Sequence, residues 1–262
     1  MGPHRISLNL GPVMADVRLL GLPVDTLDSS ATDASGMQGD LHIEIRAPGT
    51  PIPNPPAGAQ PIHTPFFSGF WAPDTRTAAV TLTAMPEALC ATTRQCHGVL
   101  RLILSTWIRE QGGIVLHGAA LLHEGGAHVF LGASGAGKTT LAQRFPLSHR
   151  LGDDYVAILP AEMTGFDVHG TTLRGRERLP GTLQRQSLRS IALLEQAEHP
   201  AREILSPSDA VGPLLRHAFA HHQSPLERSD HLTTALKLAR EVPVSRLRMT
   251  KTSDPFVDAR AA

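Results

Sequence analysis

The sequence predicts an α/β fold, a phosphate-loop domain preceded by a small β-rich region. Three observations carry that prediction. Gly132-Ala133-Ser134-Gly135-Ala136-Gly137-Lys138-Thr139 matches the pattern G-x-x-x-x-G-K-[ST] at every fixed position. The run sits between an apolar segment, residues 126–131, that reads as a strand, and a helix-compatible segment, residues 139–145, that Pro146 stops. Upstream, residues 41–46 and 79–83 alternate apolar and polar at period two, as half-buried strands do.

Taken in order, residues 1–88 form the β-rich region of short strands and loops. Residues 47–58 carry too many prolines for a helix or a central strand and read as a connector. The aromatic cluster of residues 66–71 reads as local core in preference to a peptide-binding surface. The larger domain spans 89–250. It opens with a helix between Pro86 and Gly112, where Val99, Leu100, Leu102, Ile103, Leu104, Trp107 and Ile108 make a broad apolar face and Gly112-Gly113 ends it. Residues 114–122 and 126–131, joined around Glu124-Gly125-Gly126, read as a hairpin. Strands follow at 155–159 and 188–194, helices at 208–220 and 227–240, and a closing strand at 244–249. The tail, 251–262, is expected to be loose.

Composition narrows the function classes. The chain has 24 Lys+Arg against 24 Asp+Glu, so no global charge argues for nucleic acid or an anionic membrane. Its 2 cysteines, Cys90 and Cys96, are too few for a disulfide framework or a paired zinc site. No apolar run is long enough to span a bilayer, and the first residues lack the apolar core of a secretion signal. A cytoplasmic protein is expected.

The chemistry of the glycine-rich run explains its residue types. Glycines let the backbone curl so that successive N–H groups, from Ser134 to Thr140, face an anion. The helix that starts there adds the positive end of its dipole. Lys138 reaches the outer phosphates of a nucleoside triphosphate, and the Thr139 hydroxyl joins a Mg²⁺ shell. Gly132, Ala133, Ser134, Gly135, Ala136, Gly137, Lys138, Thr139 and Thr140 are thus the expected nucleotide-binding residues, with ATP and Mg²⁺ as the implied cofactors. No N-K-x-D run for guanine recognition occurs, and no L-S-G-G-Q run of transport ATPases. Asp167-Val-His-Gly170 fits a D-x-x-G switch by letters, but so short a pattern is expected by chance.

What singles out one class is His117-Gly118 before the loop and Asp153-Asp154 after it. The run His117-Gly-Ala-Ala, Gly132 to Lys138, and His149-Arg-Leu-Gly-Asp153-Asp154 resembles the catalytic region of HPr kinase/phosphorylase. It resembles more closely the HPr-kinase-related proteins found among peptide-modification and coenzyme-assembly genes. The resemblance covers residues 112–159 well and 188–249 loosely. It implies a P-loop kinase domain of the HPr kinase type, in which His117 faces the transferred phosphate, Asp153 takes the proton of the acceptor hydroxyl and Asp154 sits near Mg²⁺ with Thr139. The segment between loop and aspartate pair is shorter here than in the family. The family's later glycine- and arginine-containing segment is not clearly matched, so neither phosphorylase activity nor a hexamer is carried across. A homo-oligomer stays open.

These roles are chemically coherent, because phosphoryl transfer needs alignment, charge neutralisation and a base. The expected function is therefore an ATP- and Mg²⁺-dependent kinase acting on a hydroxyl, serine or threonine of a peptide or protein. A small-molecule kinase and a non-catalytic nucleotide-binding accessory protein are the alternatives. Two further groups were weighed. His217, His221 and His222 on one helix have a metal-compatible spacing but no paired cysteine or carboxylate, which favours a plain helix face. Arg174, Arg176, Arg178, Arg185 and Arg189 form a basic run that suits an acidic substrate or a solvated surface equally.

Overall fold

The structure is a computed structural model and describes residues 4–22, 40–84, 89–173, 181–219, 225–250 and 252–257. It is mixed α/β, with strands outnumbering helices among the described residues. The chain divides into two compact units, Met1–Trp107 and Ile108–Ala262. That division falls inside a helix, not at the expected 88/89 boundary.

The first unit is a sheet of six strands, β1 (His4–Asn9), β2 (Met14–Leu20), β3 (Leu41–Arg46), β4 (Gln60–His63), β5 (Phe67–Ala72) and β6 (Thr77–Leu82), in the order β1-β2-β3-β6-β5-β4. β3 alternates buried and half-buried residues along its length, as its period-two sequence predicts. The aromatic cluster is strand β5. Phe67, Phe70 and Trp71 are buried and only Phe66 is exposed, so the cluster is local core. Helix α1 (Leu89–Glu110) follows. Its Cys96 is fully buried, and burial pushes that thiol up to about 12. The helix closes on a Schellman cap, with Gly112 N–H donating to Arg109 O and Gly113 N–H to Ile108 O.

The second unit holds β7 (Ile114–Leu116), β8 (Gly118–His123), β9 (Gly126–Leu131), α2 (Lys138–Gln143), β10 (Arg150–Asp153), β11 (Val156–Pro160), β12 (Phe166–His169), β13 (Arg185–Gln196), β14 (Ala201–Ile204), α3 (Pro207–His217), α4 (Pro225–Glu241) and β15 (Val244–Met249). The sheet order is β10-β8-β9-β13-β12-β11-β7, with β15 pairing both β13 and β14. β13 runs parallel to both of its neighbours β9 and β15. Both faces are covered, so consecutive residues go to different cores. Ala120, Val129, Leu131, Ile191 and Leu193 pack with Ala210, Leu214, Ala235 and Leu238 of α3 and α4. Ala119, Leu121, Phe130, Ala192 and Leu194 pack with Leu141 and Ala142 of α2. Strands buried on both sides read as near-continuous apolar runs, as residues 191–194 and 129–131 do, which is why 188–194 and 126–131 were legible.

Several expectations are corrected here. The single strand expected over 114–122 is two strands broken at His117, because β7 pairs with β11 while β8 pairs with β9 and β10. The helix expected over 208–220 stops at His217, and Ala218 then bridges to Leu116. His217 therefore ends its helix; His221 and His222 lie outside the described residues, as do Arg174, Arg176 and Arg178. Asp167 of the D-x-x-G letters, read as a chance match, has a structural place. It is buried in β12 and accepts a bond from Arg185 Nε at 2.7 Å. Within the tail expected to be loose, residues 252–257 dock. Arg144 Nη1 donates to Ser253 O at 2.7 Å and Arg202 Nη2 to Pro255 O at 2.7 Å. Phe256 stacks on His123 with centroids 3.9 Å apart and meets Phe130 and Phe145 edge-on.

Candidate active site

Strand register gathers the site. β8 and β9 form a hairpin whose turn residues Glu124 and Gly125 both have positive φ, as a type I′ turn requires. In that hairpin Gly118 pairs with Leu131, which brings the start of β8 beside the residue that enters the glycine loop. On the other edge of β8, Asp153 of β10 pairs with Ala119, and Asp154 N–H donates to Gly118 O at 2.8 Å. His117, Gly132 and the aspartate pair thus lie at one row of strand ends, although 14 or more residues separate each group in sequence.

The loop itself requires its glycines. A Cβ on Gly132 would come within 2.9 Å of Ala136 Cβ and 3.1 Å of Leu194 O. Gly137 has φ +101, a conformation that L side chains rarely adopt. The first bond of α2 runs from Leu141 N–H to Gly137 O, and Ala136 N–H turns back onto Ala133 O. From the end of β13, Gln196 Nε2 donates to Gly135 O at 2.8 Å and ties the loop down.

The charged groups meet at this loop. Lys138 is buried and spends two of its three protons on Gly132 O (2.8 Å) and Ala133 O (3.0 Å). Burial lowers its pKa, and the charges of Asp154 and Asp153 oppose that. The Thr139 hydroxyl lies 3.4 Å from both carboxylate oxygens of Asp153, a long contact. Asp153 is 7% exposed, and burial raises its pKa, reinforced by Asp154 and opposed by Thr139, Lys138 and His117. His117 Nδ1 lies 2.9 Å from Asp154 Oδ1. Asp154 has φ +81, unusual for a residue with a side chain, and such strain concentrates at functional sites.

The contacts cross the expected pairing. Thr139 meets Asp153, and His117 meets Asp154, whereas the resemblance grouped His117 with Asp153 and Thr139 with Asp154. Of the other expected residues, Ser134 is exposed at the loop tip and Thr140 is exposed on α2.

Sequence reasoning missed the far wall. Residues 217–219 pair along β7, with His117 N–H donating to His217 O at 2.7 Å and Phe219 N–H to Val115 O at 2.8 Å. The Phe219 ring packs against His117 (5.9 Å, edge-on) and Tyr155 (5.0 Å). The His217 imidazole is lowered first by burial, then by the charges of Lys138 and His117. The histidine spacing at His217 points to no such contact, because a bridge between segments about 100 positions apart in sequence brings these residues here.

The family model for the SynChlorMet cassette protein ScmC matches residues 94–256, well over half of the chain. The chain belongs to this family. No curated protein matches it. In this ScmC chain the matched stretch takes in the glycine loop, His117, both aspartates, the 217–219 wall and the docked residues up to Phe256, and leaves β1 to β6 outside. No helix among the described residues is long and apolar enough to cross a membrane.

The donor set can be tested against Mg²⁺. A hydroxyl and two carboxylates are hard oxygen donors of the kind Mg²⁺ takes, and that ion ordinarily uses one or two carboxylates and completes its shell with water and phosphate oxygens. Among the described residues no three His, Cys, Asp or Glu side chains form a complete metal site. Thr139 with the aspartate pair fits the partial, phosphate-completed kind.

Proposed function

We propose that this chain is a P-loop kinase of the HPr kinase type, dependent on ATP and Mg²⁺, that transfers the γ-phosphate to a hydroxyl, serine or threonine of a peptide or protein. One observation carries the reading. Lys138, Thr139, Asp153, Asp154 and His117 meet around a single glycine loop through strand register.

The acceptor oxygen attacks the γ-phosphorus in line, the bond to the β-phosphate oxygen breaks, and the pair of electrons leaves with ADP. Asp153 takes the acceptor's proton, and its raised proton affinity makes it a better base than an exposed carboxylate. Lys138 keeps one proton for a phosphate oxygen. Backbone amides of the loop other than that of Ala136, which turns back onto Ala133 O, would donate to the phosphate chain, and Thr139 with Asp154 would hold the metal. Bound Mg²⁺ supplies neutralisation of the phosphate charge.

The contact pattern favours a second division of labour. With Thr139 against Asp153, that carboxylate suits the metal, and His117 oriented by Asp154 becomes the base. Substitutions tell them apart, since Asp153→Asn should then raise the Mg²⁺ requirement while Asp154→Asn should mainly lower the transfer rate.

Candidate peptides, carrier proteins and small hydroxyl acceptors are incubated with ATP and Mg²⁺ and read by mass spectrometry. Addition of one phosphate, lost in Lys138→Ala, is expected. ATP binding with transfer to none of them would leave only a nucleotide-binding accessory protein.

A further inference from the structure

A cleft of about 530 Å³ opens beside the glycine loop, and no role has yet been given to it. Gly135, Ala136 and Gly137 line both the cleft and the phosphate cradle, so a molecule with phosphates on the loop extends directly into it. The cleft lies at the carboxyl ends of the parallel strands β9, β13 and β15, where open α/β sheets place ligands. Its floor is apolar, made by Leu141, Leu194 and Met249, which continue the core on that side. Arg144 and Thr250 form part of its wall.

That wall is fastened by the docked C-terminal residues. Arg144 donates to Ser253 O at 2.7 Å and Thr252 O at 3.3 Å. Thr250 is locked to Ser253 by a bond to its hydroxyl at 2.6 Å and by its own N–H at 3.0 Å. Phe256 anchors the segment through its stack on His123 and its contacts with His128, Phe130 and Phe145. The guanidinium bordering the cleft is therefore held by backbone carbonyls that exist only while the segment is docked.

We propose that this cleft binds the purine nucleoside of a nucleotide whose phosphates occupy the glycine loop, and that residues 252–256 are a working part of that site through their hold on Arg144. The apolar floor matches a base, a space of this volume takes a base with its ribose, and a fixed guanidinium is a stacking partner for a purine face. The inference deepens the kinase reading and rests on its nucleotide-binding half alone.

The test measures equilibrium binding to the full chain, with Mg²⁺, of ATP and of inorganic tripolyphosphate, which carries the phosphates without a nucleoside. ATP is expected to bind roughly 10- to 100-fold tighter, the range that one well-stacked base contributes. Phe256→Ala and the surface change Arg144→Ala should each remove most of that preference and leave tripolyphosphate affinity unchanged. Thermal melts check that both variants fold, and Arg144→Ala serves alone if Phe256→Ala does not. Equal affinities for ATP and tripolyphosphate, binding of neither, or variants that weaken both ligands alike overturn the proposal. If ATP shows the preference and no phosphate is ever transferred, the kinase reading fails and this one stands.

Discussion

Replacing Asp153 by Asn separates chemistry from stability in a single variant. The side chain keeps its shape and loses its charge. Asp153 is 7% exposed, and its carboxyl is raised above the ordinary 3.8 by burial first and by Asp154 second. A carboxyl that holds its proton more tightly in the fold favours folding while protonated and loses that contribution as pH rises through its raised value. At neutral pH the native carboxylate is thus a cost, and Asn removes it. The variant is expected to gain on the order of 1 kcal/mol, the size of a typical relieved active-site conflict, and about 2–4 °C in midpoint for a chain of this size. Well below pH 3.8 the two proteins should melt alike. Phosphate transfer should fall roughly 10²- to 10⁴-fold, the usual contribution of a general base, with ATP affinity little changed. Thermal melts at two pH values and a single-turnover transfer assay read both effects. Transfer within threefold of wild type would refute the base assignment. A lowered midpoint at neutral pH would refute the account of burial.

Two other outcomes follow from the geometry. Gly137→Ala places a side chain at φ +101 with no atom within 4 Å of the new Cβ, so its cost is torsional, about 1–2 kcal/mol; urea unfolding should show a lower midpoint at unchanged slope. His128, His169 and His217 are all lowered from 6.5, with burial the leading cause. The unfolded chain then binds more protons just below pH 6.5, so stability should drop as pH falls from 7 to 5. His128→Gln, which keeps a polar partner for Ser190 Oγ at 2.8 Å, should flatten that slope in urea titrations across the range.

The glycine loop and its flanking strand were legible because both are local: a motif of fixed spacing and an apolar run bounded by turn residues. α1, α4 and β15 were legible for the same reason, since their patterns persist over several turns or a full strand. β10 was not, because four residues with one glycine carry no period, and its existence depends on the edge that β8 offers. The break at His117 was also invisible. Residues 114–122 are apolar but for His117-Gly118, which alone does not end a strand, and the competing partners β11 and β9 decide where the strand divides. The docking of Phe256 escaped notice because its ring is accepted by His123 and His128, two residues that a sequence reading treats as polar.

Register also explains how the short segment between loop and aspartates leaves the two carboxylates at the site. What fixes Asp153 is its pairing with Ala119, and what fixes Asp154 is its bond to Gly118 O. The length of chain between Gln143 and Arg150 enters neither constraint, so that connection, a turn over Leu147–His149, is free to vary without moving the carboxylates. The strand is not free in the same way. Side chains alternate faces along β10, so a slip of one residue against β8 would set Gly152 or Asp154 opposite Ala119 and turn the Asp153 carboxylate away from Thr139. The β-bulge between Arg150 and Gly152 adds one residue to the strand before the aspartates and sets the register that follows. The geometry of the candidate site is therefore encoded in strand pairing on either edge of β8, and the loop motif supplies only one of its three parts.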